Sequence, residues 1–215
     1  MIELYVFPPS PRAFKVMAVA NHLGIETKLN FVDLRKGEQR SPQYAALNPN
    51  ERMPTLKDGD FVLWESNAIT QYLATKDRNH SLLPTEERER MDVIRWQFWD
   101  SSHWDPACAV FIFEHIVKPA VLKIGAPDEA ALAKGAESFR RAARVLNDQL
   151  KGKRFVTGEK LTLADFSLGS PLNLAEMAHL PFDTYDEIKR WYAGLKALPV
   201  WQKTLAQCYP PAQAA

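Results

Sequence analysis

The spacing of apolar residues divides the chain into two parts. Up to about residue 77, short apolar segments are interrupted by Pro, Gly and Asp, whereas most of the chain after Thr85 repeats apolar residues every three or four positions, as amphipathic helices do. A mostly polar stretch that contains Pro84 separates the two patterns. The pattern predicts a first domain at residues 1–77, a linker at 78–85 and a second domain at 86–215.

The first domain is predicted to alternate short strands with helices. Ser10 and Ser41 each precede a proline, a combination that starts a helix, and Gly24 ends the first of these helices. Asp58-Gly59 favours a hairpin turn, and Ser66 is placed to cap a closing helix that runs to about residue 75. Apolar segments predict four strands, at residues 2–7, 27–32, 55–57 and 61–64. The predicted order of elements is βαβαββα.

The second domain is predicted to be a helical bundle. Apolar stripes with helical spacing are formed by Met91, Ile94 and Phe98 and by Phe139, Ala142 and Leu146. Thr162 is placed to begin a further helix, with Asp165 as its capping-box partner, and Pro171 should kink or break that helix. The predicted fold class is therefore α/β followed by all-α.

Composition excludes several classes of function. The 27 basic and 26 acidic residues give a net charge of +1, so no global basic field indicates a nucleic-acid partner. Cys108 and Cys208 lie far apart and match neither a disulfide framework nor a zinc motif. No apolar run approaches the ~18 residues of a membrane span, and the N-terminus lacks the basic residues of a secretory signal. These observations predict a cytoplasmic protein without a metal or membrane partner.

Several motifs together resemble those of a known enzyme family. They are Ser10, Met53-Pro54-Thr55 and Glu65-Ser66, with the stretches DLRKGEQRSP at 33–42, ALNP at 46–49, DGD at 58–60 and LWESNAI at 63–69. The chain resembles the cytosolic glutathione S-transferases over nearly its whole length, and the stretch at 33–49 looks like phi and theta-like bacterial members. The resemblance implies a thioredoxin-like domain that binds glutathione and a helical domain that supplies most of the pocket for a hydrophobic electrophile. It also implies a homodimer, with glutathione as co-substrate and no permanent cofactor.

Ser10 is the candidate catalytic residue. A thiol with a pKa of about 8.5 is only a few per cent ionised near neutrality, so a catalyst must favour the thiolate. A hydroxyl donor at a helix N-terminus, backed by the positive end of the helix dipole, would stabilise that anion. From the sequence alone the preferred interpretation is that Ser10 only caps the helix, since Ser-Pro is a common helix start. The family resemblance reverses this preference in favour of catalysis. Tyr5 is the rival hydroxyl, and Arg12 is either a second anion-stabilising donor or a surface charge.

Two motifs are candidate contacts of glutathione itself. The residue before a proline favours extended geometry, so the main chain of Met53 before Pro54 is suited to pair with a peptide-like ligand. The resemblance implies that this proline is cis. The helix start at Ser66 suits the γ-glutamyl carboxylate, and Glu65 suits the ammonium group. For the glycyl carboxylate the resemblance points to three further residues, Gln39, Arg40 and Arg52.

The electrophile pocket is predicted from an aromatic stretch at residues 95–104. An aromatic stripe is usually core, yet an apolar pocket with few polar groups suits an aromatic electrophile. The candidates there are Trp99, Ser102, His103 and Phe111, with Arg12 from the first domain. His103 beside Cys108 also allows a thiol dyad, which the sequence does little to support.

Two other functions are compatible with the same motifs. The first is glutathione-dependent reduction of a disulfide or a peroxide, although no cysteine lies between Val6 and Lys15 to form a mixed disulfide. The second is a non-catalytic interaction module, because one fold hosts many functions. The presence of Ser10, Pro54, Glu65 and Ser66 favours an enzyme that conjugates glutathione.

Overall fold

The structure is a computed structural model that describes residues 1–209. The chain divides into two compact units. One unit comprises Met1–His80 together with residues 197–209, and the other comprises Ser81–Lys196. Residues 210–215 of the predicted second domain lie outside the described residues.

The first unit contains a four-stranded mixed sheet. Its strands and helices are β1 (Ile2–Val6), α1 (Pro11–His22), β2 (Thr27–Phe31), α2 (Pro42–Leu47), β3 (Thr55–Asp58), β4 (Phe61–Trp64) and α3 (Ser66–Thr75). The strand order is β2-β1-β3-β4, with β1 parallel to β2 and antiparallel to β3. The predicted order βαβαββα is confirmed. Because β3 and β4 are joined by the tight turn at Gly59, which has a φ of +66°, they pair as the predicted hairpin.

The second unit is helical. Its main helices are α4 (Glu87–Trp99), α5 (Asp105–Ile112), α6 (Glu129–Leu150), α7 (Leu163–Gly169) and α8 (Asp186–Lys196). π-helical segments at Asp100–Trp104 and Phe113–Leu122 flank α5, a feature that the periodicity did not predict. A 3₁₀ segment at Ser170–Leu174 follows α7, so Pro171 breaks the helix as expected.

The start of α7 is anchored by a buried carboxylate. Asp165 is fully buried and accepts hydrogen bonds from the backbone N–H groups of Val156 and Thr162 and from Trp191 Nε1, each at 2.9 Å. The predicted pairing of Thr162 with Asp165 is therefore present. Burial is the dominant influence on this carboxyl and raises its pKa to about 6.

The last described helix, α9 (Pro199–Cys208), follows the helical unit in sequence but packs against α1. The Trp201 and Phe14 rings are 4.8 Å apart, and Asn21 Nδ2 donates to Thr204 Oγ1 at 2.9 Å. The structure thus groups α9 with residues 1–80, which differs from the predicted second domain of 86–215. No helix within residues 1–209 is long and apolar enough to cross a membrane.

Candidate active site

Ser10 lies at the junction between a strand and a helix. The loop Phe7-Pro8-Pro9 leads from β1 to Ser10, whose extended backbone places it at the N-cap of α1, with Pro11 as the first helical residue. The Ser10 backbone is fixed, because its N–H donates to Phe7 O at 2.8 Å and its carbonyl accepts from Phe14 N at 2.9 Å. The hydroxyl makes no capping hydrogen bond to the helix. Its side chain is therefore not committed to capping α1.

Tyr5 occupies a different environment from Ser10. It packs in a cluster with Val32, Tyr44 and Met53, and its ring lies 6.1 Å from that of Tyr44. This packing explains why an aromatic residue stands in β1. Arg12, in the first turn of α1, is exposed.

Met53 and Pro54 lie directly before β3. Both residues are buried, and the peptide bond between them is cis, as the family resemblance implies. Arg52 is exposed, whereas its backbone carbonyl accepts hydrogen bonds from two buried side chains, Tyr44 and Asn48. Hydrogen bonds from buried side chains thus hold the main chain next to the predicted glutathione contact at Met53.

The start of α3 differs from the prediction in one respect. Ser66 is the first helical residue, and Glu65 occupies the N-cap position with a φ of +73° and no capping hydrogen bond from its side chain. The predicted capping role of Ser66 is wrong because the chain turns one residue earlier, through a positive-φ conformation at Glu65. Positive φ is uncommon outside glycine, and the backbone strain that it causes often accompanies functional sites. Ser66 is buried at 8% exposure, whereas Glu65 is exposed.

Gln39, Arg40 and Arg52 come from two neighbouring loops. Gln39 and Arg40 lie in a 3₁₀ turn at Glu38–Arg40, and Arg40 Nε is 4.0 Å from Glu51 Oε2. Gln39 Oε1 is buried and has no hydrogen-bond partner within residues 1–209. A buried polar atom without a partner is costly. Gln39 Oε1 is therefore an acceptor that a hydrogen-bond donor of a ligand can satisfy.

A cavity of about 480 Å³ lies beside the Ser10 loop. Apolar residues on its wall come from the loop and from β2, and Arg35, Lys36 and Cys208 also line it. The apolar lining residues are Phe7, Pro8, Pro9, Phe31 and Val32. None of them was predicted as a site residue. The run Phe7-Pro8-Pro9 next to Ser10 was an available signal, whereas the contribution of α9 depends on tertiary packing.

A second cavity, of about 460 Å³, lies within the helical unit. Trp99, Ser102 and His103 line it together with residues of α6 that include Arg141 and Val145. Three of the four predicted residues of this unit therefore share one cavity. Phe111 is not among the lining residues; it is buried, with its ring 5.8 Å from that of Phe139.

The possible thiol dyad finds no support in the geometry. Cys108 is fully buried while His103 is exposed, and burial raises the pKa of the Cys108 thiol well above its usual value. Such a thiol stays protonated and unreactive at neutral pH. Within residues 1–209, no group of three or more His, Cys, Asp or Glu side chains is arranged to hold a metal ion.

Comparisons with known proteins agree with this arrangement. The family model described as glutathione S-transferase, N-terminal domain, matches residues 1–75, and the corresponding C-terminal domain model matches residues 129–194. Glutathione S-transferase 3 of Zea mays is 33% identical, and the match covers 95% of this chain and 93% of that protein. The probable glutathione S-transferase GSTF2 of Oryza sativa subsp. japonica is 29% identical, with 98% and 99% covered.

Solved structures show the same likeness. Glutathione S-transferase III in apo form has a TM-score of 0.85 and 33% identity, with 99% of each chain covered. A glutathione S-transferase from Pseudomonas fluorescens has a TM-score of 0.82 and 28% identity, with 93% of this chain and 96% of that chain covered.

The mixed sheet followed by a helical unit defines a thioredoxin-like domain joined to an all-helical domain, as predicted. The chain belongs to the glutathione S-transferase family. The predicted family, fold class and enzyme class are confirmed, and the protein is a glutathione transferase.

Proposed function

We propose that Ser10 stabilises the thiolate of glutathione, which then attacks a hydrophobic electrophile. The observation that carries this proposal is the placement of the Ser10 hydroxyl at the N-terminus of α1 without a capping hydrogen bond. Ionisation releases the thiol proton to solvent, and the hydroxyl and the helix dipole stabilise the sulfur anion. The electron pair of the thiolate forms a C–S bond to the electrophile. In a substitution the leaving group departs with the electron pair of its bond to carbon, and in an addition the π electrons of the activated double bond move to the neighbouring carbon, which takes up a proton from solvent.

Glutathione is proposed to lie along the edge formed by Met53 and the start of α3. The main chain of Met53, which lies directly before β3, would pair with the cysteinyl part, as an added strand does. The N-terminus of α3 at Ser66 would receive the γ-glutamyl carboxylate, and exposed Glu65 would meet the ammonium group. Arg40 and Arg52 would recognise the glycyl carboxylate as cations. Gln39 Oε1, a buried acceptor without a partner within residues 1–209, would accept from the glycyl N–H of the ligand.

The electrophile is proposed to occupy the cavity beside the Ser10 loop. Pro9 lines that cavity and directly precedes Ser10, so an acceptor bound there would lie close to the thiolate. Its apolar wall favours a hydrophobic acceptor. Trp99, Ser102 and His103 remain the candidates within the helical unit, where they line the second cavity. Arg12 remains a candidate because it is exposed and only two residues after Ser10.

The protein is further proposed to act as a homodimer. Large apolar side chains are exposed on β4 and on α4: Phe61 is 45%, Trp64 is 40%, Met91 is 50% and Phe98 is 69% exposed. Met91 and Phe98 are seven residues apart and therefore lie on one face of α4. A contiguous exposed apolar patch of this kind marks an interaction surface. The apolar residues Ile69 and Leu73 of α3 are fully buried, so they pack inside the subunit and are not part of the proposed interface.

The choice of reaction is tested by offering three acceptors to the purified protein with glutathione. They are a chlorodinitrobenzene-type electrophile, a mixed disulfide and an organic hydroperoxide. Conjugation of the first at a rate well above the other two supports the proposal. Faster turnover of the disulfide or hydroperoxide would instead favour a reductase, and glutathione binding without any turnover would favour an interaction module.

A further inference from the structure

A buried hydrogen-bond network holds the loop between α2 and β3. The carbonyl oxygen of Arg52 accepts from Tyr44 Oη at 2.6 Å and from Asn48 Nδ2 at 2.7 Å. Thr55 Oγ1 lies 2.9 Å from Tyr44 Oη and 3.1 Å from Asn48 Nδ2. Tyr44, Asn48 and Thr55 are 4%, 2% and 0% exposed. The network is therefore shielded from water.

Every hydrogen-bond donor of Tyr44, Asn48 and Thr55 in this network has an acceptor. The single hydroxyl proton of Tyr44 goes to the Arg52 carbonyl, so the Thr55 hydroxyl donates to Tyr44 Oη. The two amide protons of Asn48 go to the Arg52 carbonyl and to Thr55 Oγ1. Burial raises the pKa of Tyr44, so its phenol keeps the required proton at neutral pH.

The orientation of the Asn48 amide is fixed from its other side. Asn48 Oδ1 accepts from the backbone N–H of Asn50 at 3.0 Å and from Asn50 Nδ2 at 3.1 Å. The side chain thus links the start of the loop to its end at Arg52. A network in which every member is satisfied rigidifies the segment that it holds.

The Arg52 carbonyl shares a peptide plane with the N–H of Met53. In a planar trans peptide these two groups point in opposite directions, so fixing one fixes the other. Two buried donors on the carbonyl therefore determine where the Met53 N–H points. This inference rests on the proposed function, in which the main chain of Met53 pairs with glutathione.

We propose that Tyr44 and Asn48 are positioning residues that aim the Met53 N–H at glutathione. Neither side chain needs to touch the ligand, because each acts through the Arg52–Met53 peptide. The contact is remote from the reacting sulfur and is equally strong in the ground state and the transition state. Its loss should therefore weaken glutathione binding and leave turnover nearly unchanged.

The test compares Tyr44→Phe and Asn48→Ala with Tyr72→Phe. The Tyr72 hydroxyl donates to Asp58 Oδ2 at 2.7 Å, so Tyr72→Phe also removes a tyrosine hydrogen bond from the first unit but none from this loop. Each protein is assayed by steady-state kinetics, by calorimetric titration with glutathione and by urea unfolding. Tyr44→Phe and Asn48→Ala should each raise the KM and the Kd for glutathione roughly fivefold to tenfold, the effect of one or two lost hydrogen bonds. Their kcat should stay within about twofold of the parent, and Tyr72→Phe should keep the parental KM.

The outcomes separate this inference from the proposed function. If the parent protein does not bind glutathione, the proposed function fails and the inference falls with it. If the parent binds but the KM of both loop variants is parental, or if Tyr72→Phe raises the KM equally, the positioning role is overturned while glutathione binding stands. If Tyr44→Phe does not fold, Asn48→Ala decides, because it leaves the tyrosine and its ring packing in place.

Discussion

Gly135 of α6 lies directly against Val110 of α5. A Cβ at residue 135 would lie 2.7 Å from Val110 Cγ1, closer than real Cβ atoms approach other atoms. A β-branched valine has little rotamer freedom with which to move away. The glycine therefore permits the close approach of two helices, one of which carries Val110 into the wall of the second cavity.

Gly135→Ala should destabilise the protein despite alanine's higher helix propensity. Overpacking of this kind costs about 1–3 kcal/mol, against roughly 0.5–1 kcal/mol gained in the helix. Gly194 in α8 is the matched control, because nothing lies within 4 Å of a Cβ built there. Urea unfolding should show a loss for Gly135→Ala and a gain of about 0.5–1 kcal/mol for Gly194→Ala. Equal gains at both sites would contradict the steric explanation.

Ser10→Ala should raise the pKa of bound glutathione and slow transfer. Loss of one donor to a developing anion typically costs about 10²–10³ in rate. The fold should be retained, because the hydroxyl makes no capping bond to α1. Thiolate absorbance is titrated in parent and variant. Ser41→Ala is the control for the loss of a helix cap, because Ser41 Oγ accepts from Tyr44 N at 3.3 Å. This control should leave the titration curve of bound glutathione unchanged.

If the Ser10→Ala and parental titration curves coincide and the rates match, Ser10 is not the group that stabilises the thiolate. Arg12 and Tyr5 would then be substituted next. Of these two, Arg12 is exposed, whereas Tyr5 is engaged in packing against Tyr44.

Ser66→Ala should raise the KM for glutathione and leave kcat near normal. The proposed contact is to the γ-glutamyl carboxylate, remote from the sulfur, so it stabilises the ground state and the transition state alike. Thr75→Ala, which removes the hydrogen bond from Thr75 Oγ1 to Tyr72 O at the other end of α3, controls for a general effect on this helix. A lowered kcat with an unchanged KM would show that the helix start does not bind the carboxylate.

The strand and helix order of the first unit was predictable because its signals are local. Ser10-Pro11 and Ser41-Pro42 start helices, and Asp58-Gly59 makes the hairpin turn, without reference to distant residues. The start of α3 was misplaced by one residue because Ser66 has the right chemistry for a cap. The decisive feature, the positive φ of Glu65, is not one that a glutamate indicates in a sequence.

Features that depend on tertiary packing were not predictable. The π-helical segments that flank α5 span only 5 and 10 residues, too few for an apolar repeat to distinguish i→i+5 from i→i+4 hydrogen bonding. The cavity beside Ser10 combines Phe7, Phe31 and Cys208, which lie far apart in the chain. Likewise, nothing in the sequence indicated that Tyr44 and Asn48 meet on the Arg52 carbonyl.

Asp165 should make the stability of the protein depend on pH. Its pKa is about 6 in the folded state against 3.8 for the free group, so between these values the folded state holds a proton that the unfolded state has lost. Stability from this group is present below about pH 4 and is lost as the pH rises through 6, by roughly 3 kcal/mol in total. Urea unfolding of the parent and of Asp165→Asn, which does not titrate, isolates the effect. The parent's stability relative to the variant should fall between pH 4 and 7, and a constant or rising difference would show that the carboxylate is ionised throughout.

The dimer proposed above is tested by the mass of the protein in dilute solution. The exposed face of α4 that carries Met91 and Phe98, and exposed Trp64 on the edge strand β4, would be covered in a two-fold symmetric assembly. Light scattering should give a mass near twice 24.4 kDa. Phe98→Ser and Trp64→Ser should each lower that mass toward the mass of one chain at low concentration. Phe31→Ser is the control, because it alters a 63% exposed side chain on the opposite edge strand, β2, and it should leave the mass unchanged. A mass of 24.4 kDa that persists at high concentration would contradict the dimer, and a dimer unaffected by both substitutions would place its interface elsewhere.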